Sequence, residues 1–250
     1  MYNYLSKIYD KFMEYADYNK WEEIIINAVE EYDIGYDNLL DLGCGTGKLL
    51  LQMADKFKFC KGIDLSENML NIAREHYKEQ IKKKKINESK IKFLLDDIIT
   101  FNTQEKYNIA ISFFDTINHI LSVEELLLHF QNVKNALNKN GIYIFDIVDR
   151  KFMDKMFVNN TFVNIRDDFT YIWELESEDD IDYIKATYFI KREKKLYEKF
   201  YEVYTKKIFS QDEIEKIIEK SQMKIIKKYV NDKIAGHRWI YILKNEYNNL

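Results

Sequence analysis

Residues 41–47 read Asp41-Leu42-Gly43-Cys44-Gly45-Thr46-Gly47, in a chain of 250 residues with seven glycines and no proline. Three of those glycines fall within five positions. Glycine loses more backbone entropy on folding than any other residue, so a chain this sparing with it needs a local reason for such a cluster. The run follows the apolar pair Leu39-Leu40 and precedes a helical pattern over 48–57. Strand, glycine turn and helix in that order are the context a nucleotide-type site requires. The reason inferred is close approach of the backbone to a ligand, with the free N–H groups of a helix start pointing at it.

Three ligands compete for the loop. A phosphate loop of the Gly-x-x-x-x-Gly-Lys-Ser/Thr type is excluded by the spacing. A dinucleotide fingerprint would need a third glycine at position 48, where Lys48 stands. Asp41 at the mouth of the loop would repel a pyrophosphate but suits a ligand carrying an ammonium and a sulfonium. The electrostatics therefore favour S-adenosyl-L-methionine.

Downstream, 59–64 reads as a second strand ending in Asp64, 21 positions after Gly43. That is close to the interval at which an acid reaches a ribose, and its carboxylate can accept from both sugar hydroxyls. Ser66 caps the next helix, with Met69, Ile72, Ala73 and His76 on its buried stripe. A third strand over 90–95 ends at Asp96-Asp97; Asp97 is the favoured acceptor for an adenine amino group, with the Ile98 N–H serving the ring. A fourth, apolar on both faces, covers 107–113 and leads to Phe114-Asp115-Thr116, where doubly wound sheets hold ligands. Ser122-x-x-Glu125 is a capping box opening a helix that Asn140-Gly141 stops, before a fifth strand over 142–146. This alternation is the sign of a parallel sheet with right-handed crossovers. Alternating apolar and polar residues over 161–209 then indicate inserted antiparallel strands, with a turn near 193–195. A second capping box, Ser210-x-x-Glu213, opens a helix followed by strands over 224–230 and 237–244.

Apolar content of 46% and charged content of 32% are ordinary for a globular chain. No apolar run approaches membrane-spanning length and no signal pattern opens the chain, so a membrane is not expected. Cys44 and Cys60 form neither a metal spacing nor a disulfide framework, which suits a reducing, cytoplasmic setting with no bound metal. A net charge of −4 attracts no nucleic acid globally, and the basic run over 82–85 reads as a solvated helix end.

Taken together, Asp-x-Gly-x-Gly-x-Gly after the first strand resembles motif I of the Rossmann-like S-adenosylmethionine-dependent methyltransferases. The resemblance covers about 9–146 with ordered motifs and the remainder loosely. It implies an α/β fold with a doubly wound, mostly parallel seven-stranded sheet and an inserted antiparallel sheet. The implied division is a core over 1–150 and 210–250, with an N-terminal helical cap, and a lid or substrate subdomain over 151–209. Tyr9-Asp10, then Asp17-Tyr18 and Trp21, is similar to the cap of small-molecule members, where a tyrosine covers the cofactor. The pattern at 64–70 places Met69 against the adenine, although Met69 also suits plain core. The implied cofactor contacts are thus Tyr9, Asp41, Gly43, Gly45, Asp64, Leu65, Met69, Asp97, Ile98 and Phe114, with aromatic faces such as Tyr9 or Phe114 beside the sulfonium. Asp115 and His119 are the candidates for handling a proton; the alternatives are a helix cap and a core histidine.

Without proline the chain lacks the Asn/Asp-Pro-Pro-Tyr signature of base- and amide-modifying members and the Pro-Cys nucleophile of cytosine-carbon enzymes. The expected reaction is methylation of N or O in a small-molecule acceptor. Methylation of tRNA or protein, and a non-catalytic regulator that only binds the cofactor, are the other readings. A homodimer is compatible with all three.

Overall fold

The computed structural model describes residues 4–83, 85–193 and 196–246. Lys84 of the basic run, and Lys194 and Lys195 of the expected turn, lie outside the described residues.

In chain order the elements are α1 (Tyr9–Phe12), α2 (Tyr18–Glu31), β1 (Asn38–Leu42), α3 (Lys48–Met53), β2 (Phe59–Asp64), α4 (Glu67–Lys82), β3 (Ile91–Leu95) and β4 (Tyr107–Ser112). There follow α5 (Val123–Ala136), β5 (Leu137–Ile147), α6 (Arg150–Met156), β6 (Thr161–Ile165), β7 (Phe169–Glu178), β8 (Ile181–Lys191), β9 (Tyr197–Lys207), α7 (Gln211–Lys220), β10 (Lys224–Asn231) and β11 (Arg238–Lys244). Short 3-10 turns flank α1 and cover Thr116–His119.

The main sheet has seven strands in the order β10-β11-β5-β4-β1-β2-β3. β1 to β5 run parallel, and β11 and β10 add antiparallel at one edge. Strand order reverses between β1 and β4, so the loops after these two strands diverge and leave a crevice at their C-terminal ends. Leu40, Leu42, Tyr107 and Phe145 pack toward α5 and α7, while Leu39, Ile109, Ile142 and Ile144 pack toward α2 and α3. Burial on both faces explains why β4 and β5 read as continuous apolar runs.

Three local expectations shift. The helix after the glycine loop ends at Met53 rather than at 57, because Lys56 N–H turns back to the Met53 carbonyl in a tighter turn. The strand expected over 142–146 begins at Leu137, which pairs with Tyr107, and Asn140 absorbs the irregularity at φ 64°. On α4 the buried stripe is Met69, Leu70, Ala73 and Tyr77, leaving Ile72 and His76 half-buried. His76 faces the glycine loop instead.

β6 to β9 form a separate antiparallel sheet whose buried face includes Tyr171, Trp173, Ala186, Tyr188, Phe200 and Tyr204. The N-terminal segment packs on that face: Phe12 lies 5.1 Å from the Tyr171 ring and 5.3 Å from Trp173. Leu5 N–H donates to Glu202 at 3.0 Å, Lys11 pairs with Asp168, and Arg166 donates to the Lys11 carbonyl at 2.9 Å. Cap and inserted sheet thus pack against each other.

Candidate active site

The glycine loop is held by its neighbours before any ligand arrives. Gly43 and Cys44 N–H both donate to the Ile63 carbonyl, at 2.8 and 3.0 Å, tying the turn after β1 to the end of β2. Gly43, Gly45 and Gly47 all have positive φ, a region that costs a side-chain-bearing residue roughly 1–2 kcal/mol. Gly45 N–H donates to Asp64 Oδ2 and Ser66 N–H to Oδ1, each at 2.8 Å. The Asp64 carboxylate is therefore oriented, with lone pairs remaining for two further donors.

A cavity of about 1120 Å³, counted to its open mouth, fills the crevice. Its wall brings together every candidate cofactor contact: Tyr9, Asp41, Gly43, Gly45, Asp64, Leu65, Met69, Asp97, Ile98 and Phe114. His119 also lines it, whereas Asp115 does not. Of the two acids after β3 it is Asp97 that reaches the cavity; Asp96 accepts the Asp97 N–H at 2.8 Å, and Asp97 Oδ1 accepts the Ile99 N–H at 2.8 Å.

Two carboxylates give the cavity its charge character. Asp41 is buried and, among the described residues, meets no hydrogen-bond donor. Burial first, and then the nearby Asp64, push its pKa up to about 8. Burial also raises Asp64, against the pull of the Ser66 and Gly45 N–H groups. A buried acid without a partner is costly unless a cation arrives. The site is therefore built to receive positive charge.

The turn after β4 forms the opposite wall. Phe114 and Asp115 are consecutive left-handed residues, at φ 60° and 55°. Asp115 N–H donates to the Asp146 carboxylate at 3.1 Å, and the Phe114 ring lies 4.9 Å from Trp21 and 5.3 Å from Tyr18. Buried Asn118 fixes the rest of the turn, donating to Val148 O at 3.2 Å and Lys207 O at 2.8 Å and accepting from Val148 N–H at 3.0 Å. His119 Nδ1 lies 3.0 Å from the Thr205 carbonyl oxygen. A carbonyl only accepts, so Nδ1 carries the proton and Nε2 is the basic nitrogen. Burial, then the Lys206 charge, lower the imidazole pKa to about 4.

Asp115 sits instead beneath a second cavity, separated from the first by Tyr9 and Phe114, which line both. Its Oδ1 accepts from Arg238 at 2.7 Å and its Oδ2 pairs with Lys206. Burial would raise its pKa, but the charges of Lys206 and Arg238 overcome burial and hold it below the usual carboxylate range. It makes no helix-capping hydrogen bond. Lys206, Arg238 and Asp146 were not foreseen: they come from β9, β11 and β5, and their separations of 31 to 123 positions leave no local motif to read. Asp10 and Thr46 were also missed as a pair; Thr46 Oγ1 donates to Asp10 at 2.7 Å, with His76 Nε2 3.4 Å from the same carboxylate. Among the described residues no group of three or more His, Cys, Asp or Glu is placed to hold a metal, and no helix is long and apolar enough to cross a membrane.

A glycine loop at the switch point of a doubly wound sheet, with an oriented carboxylate at the next strand end and an unpaired acid beneath, defines a Rossmann-like site for a cationic nucleoside. The methyltransferase-domain family matches residues 36–222. An S-adenosylmethionine-dependent methyltransferase from Clostridium acetobutylicum ATCC 824 superposes with a TM-score of 0.86 at 29% identity, over 98% of this chain and 99% of that one. YqeM of Bacillus subtilis (strain 168), named as a methyltransferase by inference, is 27% identical over 224 residues, 88% of this chain and 85% of its own. CalS10, an amino pentose methyltransferase from Micromonospora echinaspora, shares the fold with a TM-score of 0.71 at 14% identity, over 92% of each chain. The chain belongs to the methyltransferase-domain family and is an S-adenosylmethionine-dependent methyltransferase.

The residues fit that cofactor: the loop leaves backbone exposed at Gly45, Asp64 is set to accept, and Asp41 awaits a cation. When bound, S-adenosylmethionine supplies an activated methyl for in-line displacement, so the protein contributes mainly proximity and orientation. Asp41 is expected to make binding pH-dependent. A neighbouring cation lowers its pKa from about 8, so binding releases a proton and tightens as pH rises. Calorimetry between pH 6 and roughly 7.5, below the titration of the ligand's own amine, should show affinity increasing by up to about tenfold per pH unit. Asp41→Asn should flatten the slope; a slope retained in Asp41→Asn would remove Asp41 from the site. In the free protein the sign is opposite: a raised folded pKa means this group's contribution to stability is lost as pH rises toward 8.

Proposed function

We propose that the acceptor is a small molecule methylated on N or O, held in the second cavity with its reacting atom directed past Phe114. The observation that carries this reading is the cavity's enclosure. It is walled by the cap, α6 and the inserted sheet, including Phe12, Met153, Phe157 and Trp173. An aromatic and apolar lining with a few convergent polar groups is that of a small-ligand site. CalS10, which shares the architecture and acts on an amino pentose, agrees with a small acceptor. Residues 151–209 act as the substrate subdomain in this reading.

His119 serves as a neutral acceptor that orients an N–H or O–H of the substrate. A base whose pKa is about 4 aligns such a group better than it stores its proton. Asp115, ionised and engaged on both oxygens, positions Lys206 and Arg238 rather than taking the proton. His119→Ala should lower kcat roughly 10- to 100-fold with cofactor Kd changed less than about 3-fold; equal losses in both would assign the ring to cofactor packing.

The function itself is tested by incubating the protein with methyl-labelled S-adenosylmethionine and a size-fractionated cell extract. Label should pass to compounds below about 1 kDa, in keeping with a cavity of this class. Salt-sensitive labelling of the RNA fraction, or labelling of protein, would replace the small-molecule reading. Cofactor binding without S-adenosylhomocysteine release from any fraction would mark a regulator.

A further inference from the structure

Two of the three charged side chains that line the second cavity are cationic donors. The third, Asp115, accepts from Arg238 on one oxygen and from Lys206 on the other. Arg238 is 4% exposed; its Nε donates to the Ala235 carbonyl, and Nη1 serves Asp115 and Asp146. Its Nη2 makes no hydrogen bond among the described residues, yet it is not among the sealed interior atoms, and Arg238 lines the cavity. Lys206, an ammonium with three N–H groups, directs one to Asp115 and lines the same cavity. Of the phenols that line the cavity, Tyr204 shares a 3.0 Å bond with Tyr188 and donates to Glu202 at 2.7 Å, while Tyr9 and Tyr15 line it together with the cations. The cavity thus holds two cationic donors, Arg238 and Lys206, in an aromatic and methionine-rich enclosure.

A nearly buried guanidinium nitrogen without a partner is costly, and an anion that accepts from Nη2 and from the Lys206 ammonium together is the group that best relieves it. The free N–H groups of these cations call for an acceptor oxygen rather than a further donor, and a flat apolar body suits walls such as Phe12, Phe152 and Trp173. From this we infer that the methyl acceptor is an aromatic or otherwise flat apolar carboxylate, anchored by its anionic group on Arg238 and Lys206 while a separate N or O faces the cofactor. The inference rests on the second cavity being the acceptor site.

The test uses the full chain loaded with S-adenosylhomocysteine, titrated calorimetrically with matched probes. These are indole-3-acetate against indole-3-acetamide and tryptamine, and naphthalene-2-carboxylate against its carboxamide. Each carboxylate should bind at least about tenfold more tightly than its neutral or cationic partner, as a charge-assisted contact warrants. Because Arg238 also ties two buried carboxylates, the variant is Lys206→Gln, with cofactor affinity as the check on folding. It should reduce the preference to within about threefold. Equal or tighter binding of the amides or of tryptamine, no carboxylate binding, or a full preference kept in Lys206→Gln would overturn the inference. The two readings fail separately. Labelled acceptors that do not compete with a bound carboxylate would refute the acceptor site while supporting the anion site; competing acceptors that are all neutral or cationic would do the reverse.

Discussion

Gly45→Val is expected to fold and yet to lose S-adenosylmethionine binding, with affinity reduced on the order of 100-fold or more, a loss of about 3 kcal/mol. A Cβ at Gly45 would find only Tyr9 Cε1, at 4.0 Å. The protein leaves that space open, and the added side chain would occupy the space into which the ligand approaches the backbone. The left-handed φ of 55° adds roughly 1–2 kcal/mol of strain, a modest cost against the stability of a chain this size. Gly43→Ala supplies the contrast. There a Cβ would lie 2.5 Å from Thr116 Cγ2 at φ 85°, so the damage falls on the fold itself. Its melting temperature should drop on the order of 10 °C by overpacking and strain combined. Isothermal titration with thermal melts separates the two; normal cofactor affinity in Gly45→Val would refute the loop as the cofactor cradle.

The second large effect is expected from Asp64→Ala. Its carboxylate is fixed by the Gly45 and Ser66 N–H groups and lines the cavity with lone pairs to spare. Two charge-assisted hydrogen bonds to the sugar, at roughly 1.5–3 kcal/mol each, should vanish together, weakening cofactor binding at least about 100-fold. Deoxyadenosine analogues lacking a ribose hydroxyl provide the discriminating measurement. They should bind wild type more weakly than the parent cofactor and bind Asp64→Ala no more weakly than the parent does. Were the variant still to distinguish them, another group would hold the ribose.

How much of this was legible beforehand depends on whether the signal was local. The loop, Asp64 and Asp97 sit at strand ends that alternation and spacing locate, and they converge because parallel strands bring their C-terminal ends together. Helix starts at Ser66, Ser122 and Ser210 were readable because a cap and its partner lie three residues apart. The cluster of Asp115, Asp146, Lys206 and Arg238 was not, since each member is ordinary in its own segment and acquires meaning only from burial beside the others. The strand start at Leu137 was missed for a related reason: Asn140-Gly141 is a strong stop signal, and only pairing with Tyr107 overrides it. His76 looked like core because its spacing on α4 is right; the Thr46 carbonyl, 3.2 Å from its Nδ1, draws it to the loop.

The four-residue helix α1 is pinned from two sides at once. Asp10 takes the Thr46 hydroxyl on the glycine loop, while Lys11 and Phe12 engage Asp168, Tyr171 and Trp173 on the opposite flank. Tyr9, which opens the helix, borders both chambers. One short segment therefore walls both chambers, and a substitution that loosened it would be expected to disturb nucleoside and acceptor binding together.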